Sequence, residues 1–213
     1  NSSMIIGLRL LAEGQGDAFI SAGSTGALLS GATLIVKRVK GIRRAAMGPA
    51  MPNKAGGQTL IVDCGANAEC TPEFLLQFGC MGSFYAQKAL GIESPRVGLL
   101  NNGAEDTKGD PLHREAHQLL KRAAEQGTIH FVGNVEARDA LAGKADVVAA
   151  DGFVGNVLLK NTEGVISMIF GLIKGGLMDS TKGKLAALLA KDTFRGIKRS
   201  FDSTEIGGAP LLG

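Results

Sequence analysis

The stretch "ADVVAADGFVGNVLLK", residues 145–160, sets an apolar run, a turn of small and polar residues and the start of a helical pattern directly after one another. A short, continuous apolar run of this kind is typical of a strand buried on both faces of a parallel sheet. Similar runs recur along the chain, and together they predict strands at "DAFIS", "AAMGPA", "TLIVDCG", "RVGLLNN", "TIHFVGN" and "ADVVAAD".

Longer segments with helical spacing separate these runs. They predict helices over residues 25–39, 72–90, 111–126 and 154–177. The alternation of strands and helices predicts an α/β fold with a doubly wound, mostly parallel sheet. A chain of 213 residues suits one large α/β domain or one such domain with a small appendage.

The net charge and the cysteine spacing indicate which partners and which cell compartment suit the chain. The net charge of +3 and the absence of a dense basic stripe argue against nucleic acid as the main partner and leave acidic proteins and phosphorylated small molecules. The three cysteines, at positions 64, 70 and 80, lack C-x-x-C spacing, which indicates reduced thiols in a cytoplasmic protein. We expect no secretory leader and no membrane span, and we expect the chain to be a piece of a longer protein.

Five segments rich in small and polar residues follow the predicted strands: "SAGSTG" (21–26), "DCGAN" (63–67), "NNGAEDTKG" (101–109), "GNVEARD" (133–139) and "DGFVGN" (151–156). In open α/β sheets, ligands bind in the crevice beyond the carboxyl ends of the strands. Turn chemistry alone also favours Gly, Asn and Asp in such loops. The recurrence in all five segments predicts a ligand site at one edge of the sheet.

The sequence motifs do not predict a serine nucleophile or a metal site. Gly23–Gly26 lacks the G-x-S-x-G spacing of a nucleophile elbow, and no histidine falls in a strand-end loop, so a Ser–His pair is not predicted. His113 and His117 share a helix face, but the motif is not H-E-x-x-H and a third ligand is missing. We therefore predict solvated helix histidines, small core cysteines and no metal site.

A nicotinamide cofactor is not predicted either, and we expect no cofactor. The segment "GSTGALLSG" contains no G-x-G-x-x-G, and the region about 20 residues further on is the basic segment "KRVKGIRR" instead of one with an acidic residue.

An anion cradle fits the loops best. Ser24, Thr25 and Gly26 would open a helix whose N-terminal N–H groups favour a phosphate. The loops add neutral donors and positive charge, and this combination can stabilise developing negative charge. No covalent nucleophile is evident, so phosphate itself is the candidate attacking group. The remaining predicted site residues are Asn67, Asn102, Gly103, Glu105, Lys108, Asn134, Asp151, Gly155, Asn156 and Lys160.

The ordered segments "NSSM", "SAGSTGAL", "DCGAN", "PRVGLLNNGAEDTKG", "FVGNVEARD", "ADVVAADGFVGNVLLK" and "GGAPLLG" make the chain similar to the bacterial phosphate acyltransferases of phospholipid synthesis. The resemblance runs nearly end to end. The chain departs from the family pattern at Ser24, Ala104 and Val154, where the family usually has Asn, Glu and Thr. Family members also carry an N-terminal strand with a "DAMGGD" motif and a further C-terminal segment, which help to build their sheet and site.

The resemblance implies a three-layer α/β/α sandwich like that of phosphotransacetylases and of isocitrate and isopropylmalate dehydrogenases. It implies that phosphate attacks the thioester of an acyl-acyl carrier protein, giving an acyl phosphate. Phosphate would be held by the turn at Ser24–Gly26, with Lys108 and Asn156 as the catalytic residues. A phosphotransacylase acting on acyl-coenzyme A, and an inactive fragment that binds phosphate or carrier protein, remain as alternatives.

Three regions are predicted: an α/β phosphate- and acyl-binding domain over 1–164, an amphipathic helical hairpin over 165–200 and a return segment over 201–213. The hairpin has an apolar face together with several lysines. It is interpreted as a homodimer contact or as a peripheral contact with an anionic membrane, and the resemblance supports both. The basic segment "VKRVKGIRR" (36–44) is a candidate docking surface for the acidic carrier protein.

Overall fold

A computed structural model of the chain describes residues 2–201 and 208–213, with Lys198 and Ser200 described by their backbone only. Its main sheet has five strands in the order β2-β3-β6-β4-β5, and a two-stranded sheet pairs β1 with β7. In the main sheet β2 pairs antiparallel with β3, whereas the β3–β6, β6–β4 and β4–β5 pairs are parallel. The strands are β1 (Ala46–Met47), β2 (Ala50–Pro52), β3 (Gln58–Val62), β4 (Arg96–Asn101), β5 (His130–Glu136), β6 (Val147–Ala149) and β7 (Leu211–Leu212).

Helices cover both faces of the main sheet. Helices α3 and α4 pack on one face, and the first turns of α5 pack on the other, at β3. The predicted three-layer α/β fold is therefore confirmed. The α-helices in the described ranges are α1 (Ser3–Ala12), α2 (Thr25–Gly31), α3 (Pro72–Ala89), α4 (Pro111–Glu125), α5 (Gly152–Met178), α6 (Thr181–Leu189) and α7 (Lys191–Ser200).

The strands alternate their side chains between two buried faces. In β3, Leu60 and Val62 join the core beneath α3 and α4, whereas Ile61 joins the core beneath α5. In β6, Val147 and Val148 divide between the two faces in the same way. Burial on both faces is the reason why these strands read as unbroken apolar runs.

The strand predicted at "DAFIS" is wrong. Residues 17–21 connect α1 to α2 without regular structure, and Ile20 is 92% exposed. The Phe19 ring lies against Gly7 of α1. A strand requires a neighbour to satisfy its backbone groups, and no strand in the described ranges pairs with this segment.

The strand predicted at "AAMGPA" divides into β1 and β2, because Pro49 has no N–H to continue a ladder. The Gly48 N–H donates to the Pro210 carbonyl at 3.0 Å, and the Pro49 carbonyl accepts from the Ile61 N–H at 3.1 Å. Of the predicted return segment, 202–207 lie outside the described residues. The part that follows brings β7 back to β1.

The helix predicted over 25–39 is shorter in the structure. Helix α2 continues into a π-helical turn at Ala32–Val36, and Lys37, with a φ of 72°, ends it. The predicted helices at 72–90, 111–126 and 154–177 correspond to α3, α4 and α5. Asp110 and Asp151 cap the latter two by accepting hydrogen bonds from backbone N–H groups of the first turn.

Helices α5 to α7 extend away from the core. Between Asn156 and Phe201, no residue whose side chain the structure describes is buried. Several large apolar side chains are exposed there, namely Met168, Ile169, Leu172, Leu185, Leu188 and Leu189. None of the helices in the described ranges combines the length and the apolar character that crossing a bilayer requires.

Gly155→Ala should destabilise the protein, because a Cβ at this position would fall inside contact distance of the Asp63 backbone carbonyl. We expect a loss of roughly 1–3 kcal/mol in the free energy of unfolding, as for other overpacked sites. Gly164→Ala, in the same helix with nothing near its added Cβ, is the matched control and should gain up to ~1 kcal/mol from helix propensity. Urea unfolding of both variants tests this, and equal stabilities would contradict the packing argument.

The Arg96–Asp146 pair should make stability depend on pH. The Asp146 carboxylate accepts from the Arg96 N–H at 2.8 Å, from Nε at 2.9 Å and from Nη2 at 2.8 Å. The hydrogen bonds from the Arg96 side chain are the main cause of the lowered pKa of Asp146. A carboxylate with a lowered pKa stabilises the fold above its ordinary unfolded pKa of about 3.9, and this stabilisation is lost as the pH falls through the folded value.

Asp146→Asn should therefore lower the free energy of unfolding by about 1.5–3 kcal/mol at pH 7, the range for hydrogen bonds to charged groups. The difference from the parent chain should shrink as the pH falls toward about 3. Urea unfolding across this pH range measures it. A difference that stays constant with pH would show that the Asp146 charge contributes nothing.

A candidate active site at the carboxyl ends of the strands

The carboxyl ends of β3, β4, β5 and β6 lie at one edge of the sheet, because these strands are parallel. The predicted segment 63–67 forms the loop after β3, and 101–109 begins at the last residue of β4 and forms the loop after it. The segment 151–156 follows β6 as the cap and first turn of α5. The predicted segment 133–139 lies partly within β5, which puts Asn134 in a strand. The segment 21–26 follows no strand.

The Asp63 carboxylate organises the loop after β3. This side chain is fully buried. Its Oδ1 accepts from the Met47 N–H at 2.8 Å and from the Ala66 N–H at 3.2 Å, while Oδ2 accepts from the backbone and side-chain amides of Asn67 at 2.6 and 2.9 Å. The Asn67 amide also donates to the Ala45 carbonyl at 2.8 Å, so this predicted binding residue is engaged within the protein.

Two glycines let α5 begin directly against this loop. The Gly152 N–H donates to the Asn67 carbonyl at 2.7 Å, and a Cβ at this position would lie only 2.7 Å from Asp63 Oδ2. Gly155 packs on the Asp63 carbonyl. Asp151 is buried and caps α5 by accepting from the N–H groups of Phe153 and Val154 at 3.0 and 2.9 Å. Asp151 and Gly155, predicted to bind substrate, thus have evident structural roles.

Asn156 lies on the exposed side of α5, beside Gly65. Its side-chain amide makes no hydrogen bond to any residue in the described ranges, so it is available to a ligand. One turn later, the Lys160 ammonium pairs with the Glu163 carboxylate at 2.8 Å. Lys160 is therefore partly neutralised by a neighbour on its own helix.

Lys108 ends a tight turn in the loop after β4. Its N–H donates to the Glu105 carbonyl at 3.0 Å, and its own carbonyl accepts from the Asn101 amide at 3.2 Å. The side-chain stem passes over Gly103, where an added Cβ would lie 2.7 Å from Lys108 Cγ. The ammonium is exposed and forms no ion pair with another residue of the described part of the chain.

Beneath this turn lies His117, which the sequence predicts as a solvated residue. That prediction is wrong, because the His117 side chain is 2% exposed. Its Nδ1 lies 2.9 Å from Asn134 Oδ1, and its Nε2 lies 3.5 Å from Asp106 Oδ1. The ring packs edge-on against Phe131. An i, i+4 spacing places both histidines on one helix face but does not show whether that face is buried, because burial depends on the strand that packs against it.

A groove of about 450 Å³ runs between the loop after β4, the start of α4 and α5. Asparagine side chains line the groove near the end of β4, and apolar side chains of α5 also line it. Asn102, a predicted binding residue, lines it, whereas Lys108 and Asn156 do not. The lining residues are Leu100, Asn101, Asn102, Gly109, Asp110, His113, Ala137, Val154, Val157, Leu158 and Asn161.

Ser24, Thr25 and Gly26 are exposed at the start of α2. The Ser24 hydroxyl caps this helix, accepting from the Ala27 N–H at 3.5 Å. Helix α2 packs mainly on α1 and the π-helical turn, and none of the three residues lines the groove. Their assignment to phosphate stays a prediction.

Cys64 is an unreactive thiol. Burial and the nearby Asp63 carboxylate raise the pKa of Cys64 to about 12, so its thiol stays protonated at neutral pH and is a poor nucleophile. The thiol lies 3.5 Å from the Gly155 carbonyl. In the described ranges, no group of three or more His, Cys, Asp or Glu residues is arranged to hold a metal ion.

Phosphate acyltransferases of other bacteria are similar to this chain in sequence. It is 47% identical over 213 residues to the phosphate acyltransferase of Clostridioides difficile and 51% identical over 213 residues to that of Alkaliphilus oremlandii. In both comparisons the whole chain is covered, and it spans 62% of the relative's length. These relatives confirm the resemblance drawn from the sequence.

Solved structures agree on the fold. The EutD phosphotransacetylase from Staphylococcus aureus superposes with a TM-score of 0.62 at 22% identity, covering 77% of this chain and 56% of that one. A branched-chain phosphotransacylase from Enterococcus faecalis gives a TM-score of 0.56 at 21% identity, covering 74% and 62%. A family model described as "Fatty acid synthesis protein" matches residues 1–213. The chain therefore belongs to this family of fatty acid synthesis proteins.

Proposed function

We propose that the chain carries the catalytic part of a phosphate acyltransferase, which moves a fatty acyl group from an acyl carrier protein thioester to inorganic phosphate. The acyl phosphate product would feed phospholipid synthesis. The observation that carries this proposal is the Lys108 turn, where an exposed ammonium without an ion-pair partner in the described chain stands on a backbone held at the strand ends. The names of the relatives support the same reaction.

In this reaction a phosphate oxygen attacks the thioester carbonyl carbon. The carbon–oxygen bond forms, the carbon–sulfur bond breaks, and the carrier thiolate leaves and takes up a proton. Lys108 would neutralise charge on phosphate. Asn156 would donate its free amide hydrogens to the developing oxyanion, since amide donors stabilise the charge that develops in the transition state.

Direct attack by phosphate agrees with the protonated state of the thiol. A covalent route through Cys64 would require an activated thiolate, but the pKa of Cys64 is raised to about 12. No cofactor is needed for acyl transfer to phosphate, since bond making and bond breaking involve no change of oxidation state.

Partners are also proposed from exposed surfaces. The segment 36–44 presents exposed basic side chains, and a positive surface steers an acidic carrier protein. The apolar side chains exposed along α5 to α7 would be covered in a homodimer or by peripheral contact with an anionic membrane. This implies a cytoplasmic enzyme that reaches the membrane surface. Acyl-coenzyme A is the alternative thioester, since the site loops alone do not distinguish it.

Lys108→Ala should reduce acyl phosphate formation by roughly 10²–10³-fold, as loss of one electrostatic donor typically does. The product is trapped with hydroxylamine, using phosphate and palmitoyl-carrier protein, with palmitoyl-coenzyme A in parallel. Lys88→Ala, an exposed lysine at the end of α3, is the matched control and should retain full activity. A loss below about threefold in a folded Lys108→Ala protein, far short of that range, would refute the role of this lysine.

Reversing charge at Arg43 and Arg44 should raise the KM for the carrier substrate at low salt, because both residues are exposed and electrostatic steering weakens. The effect should diminish at high ionic strength. Lys88→Glu provides a control for a change in total charge. If the KM for the carrier substrate stays the same in the Arg43→Glu, Arg44→Glu variant at low salt, this segment is not the docking surface.

A further inference from the structure

The orientation of one buried amide determines that Nδ1 of the His117 ring carries a proton. The Glu105 carbonyl can only accept a hydrogen bond, so the Asn134 atom 2.7 Å from it must be the amide nitrogen. The amide oxygen then faces His117 Nδ1 at 2.9 Å. This oxygen can only accept, and therefore Nδ1 carries the proton.

The opposite side of the ring has a different partner. His117 Nε2 faces the Asp106 carboxylate at 3.5 Å, and the Lys121 ammonium lies 3.7 Å from the same carboxylate. In the neutral imidazole with its proton on Nδ1, Nε2 is an acceptor and has no hydrogen to give to Asp106. The hydrogen bond that this ring contributes is thus the one to Asn134.

The Asn134 amide in turn holds the turn at 105–108. The Glu105 carbonyl accepts both from Asn134 and from the Lys108 N–H. The Lys108 carbonyl is held by Asn101. A rotated Asn134 amide would set oxygen against the Glu105 carbonyl oxygen, and this repulsion would release the turn that carries Lys108.

We propose that His117 is a positioning residue for Lys108. Its Nδ1–H, on a buried ring packed against Phe131, locks the Asn134 amide in the orientation that clamps the 105–108 turn. The inference rests on the role proposed above for Lys108. It adds a residue that touches neither phosphate nor thioester. This residue acts on the 105–108 turn through two successive hydrogen bonds, from His117 to Asn134 and from Asn134 to the Glu105 carbonyl.

The parent chain gives the first test. Long-range ¹H–¹⁵N correlation spectra of the imidazole distinguish the two neutral forms of the ring. At pH 8 we expect the His117 proton on Nδ1. A proton on Nε2 would overturn the proposal, because the hydrogen bond to Asn134 would then have the opposite sense.

Two substitutions of similar size give the second test. An asparagine amide nitrogen, like Nδ1, is bonded to Cγ, so His117→Asn keeps the donor toward Asn134. His117→Gln moves its amide to the Nε2 side and loses that donor. Both variants lose the ring contact with Phe131, so they control for each other.

We expect His117→Gln to lower kcat about tenfold and to speed hydrogen exchange of the Lys108 amide by a similar factor, as for one lost hydrogen bond. For His117→Asn, both kcat and the exchange rate of the Lys108 amide should stay within about threefold of the parent chain. Equal exchange and equal kcat in the two variants would overturn the positioning role. Absence of acyl phosphate from the parent chain would instead reject the proposed function, and the exchange data would still decide the role of His117.

Discussion

The close contact between the start of α5 and the loop after β3 is the constraint on which the site depends. A fully buried Asp63 carboxylate accepts four N–H groups, and this network gives the loop a fixed shape. Gly152 and Gly155 then allow the helix backbone to rest on that loop without intervening side chains. Asn156 is positioned as a result, because it follows directly on the residue that contacts the Asp63 carbonyl.

The second half of the site is built by amide side chains instead of by glycines. Asn101 and Asn134 lie at the end of β4 and within β5, and each one bonds a carbonyl of the loop that carries Lys108. Backbone carbonyls of a loop have no ladder partner, and these amides satisfy two of them without introducing charge. The carbonyls of Glu105 and Lys108 are thereby satisfied by neutral donors, and the Lys108 ammonium makes no ion pair in the described part of the chain.

Much of the fold can be predicted from the sequence, because strands buried on both faces and long amphipathic helices have distinct patterns. The strands at 58–62, 96–101, 130–136 and 147–149 and the helices α3 to α5 follow from these patterns. The segment at 17–21 has the same apolar character but lacks a pairing strand, and pairing is not a local property. His117 and Asn101 escape notice for a related reason, since burial of a polar side chain depends on a partner distant in sequence.

The length of α5 connects the site to the exposed extension. One unbroken helix runs from Gly152 to Met178. Its first turns pack on the Asp63 loop and the sheet as far as Leu159, and the following turns expose apolar side chains. Helices in water gain most of their stability from packing of an apolar face, and within the described chain this face packs on little beyond α6. A surface that covers the extension would therefore stabilise the same rigid element that carries Asn156. The homodimer or membrane contact proposed above would then reach the site through α5, because the helix that it covers also begins against the Asp63 loop.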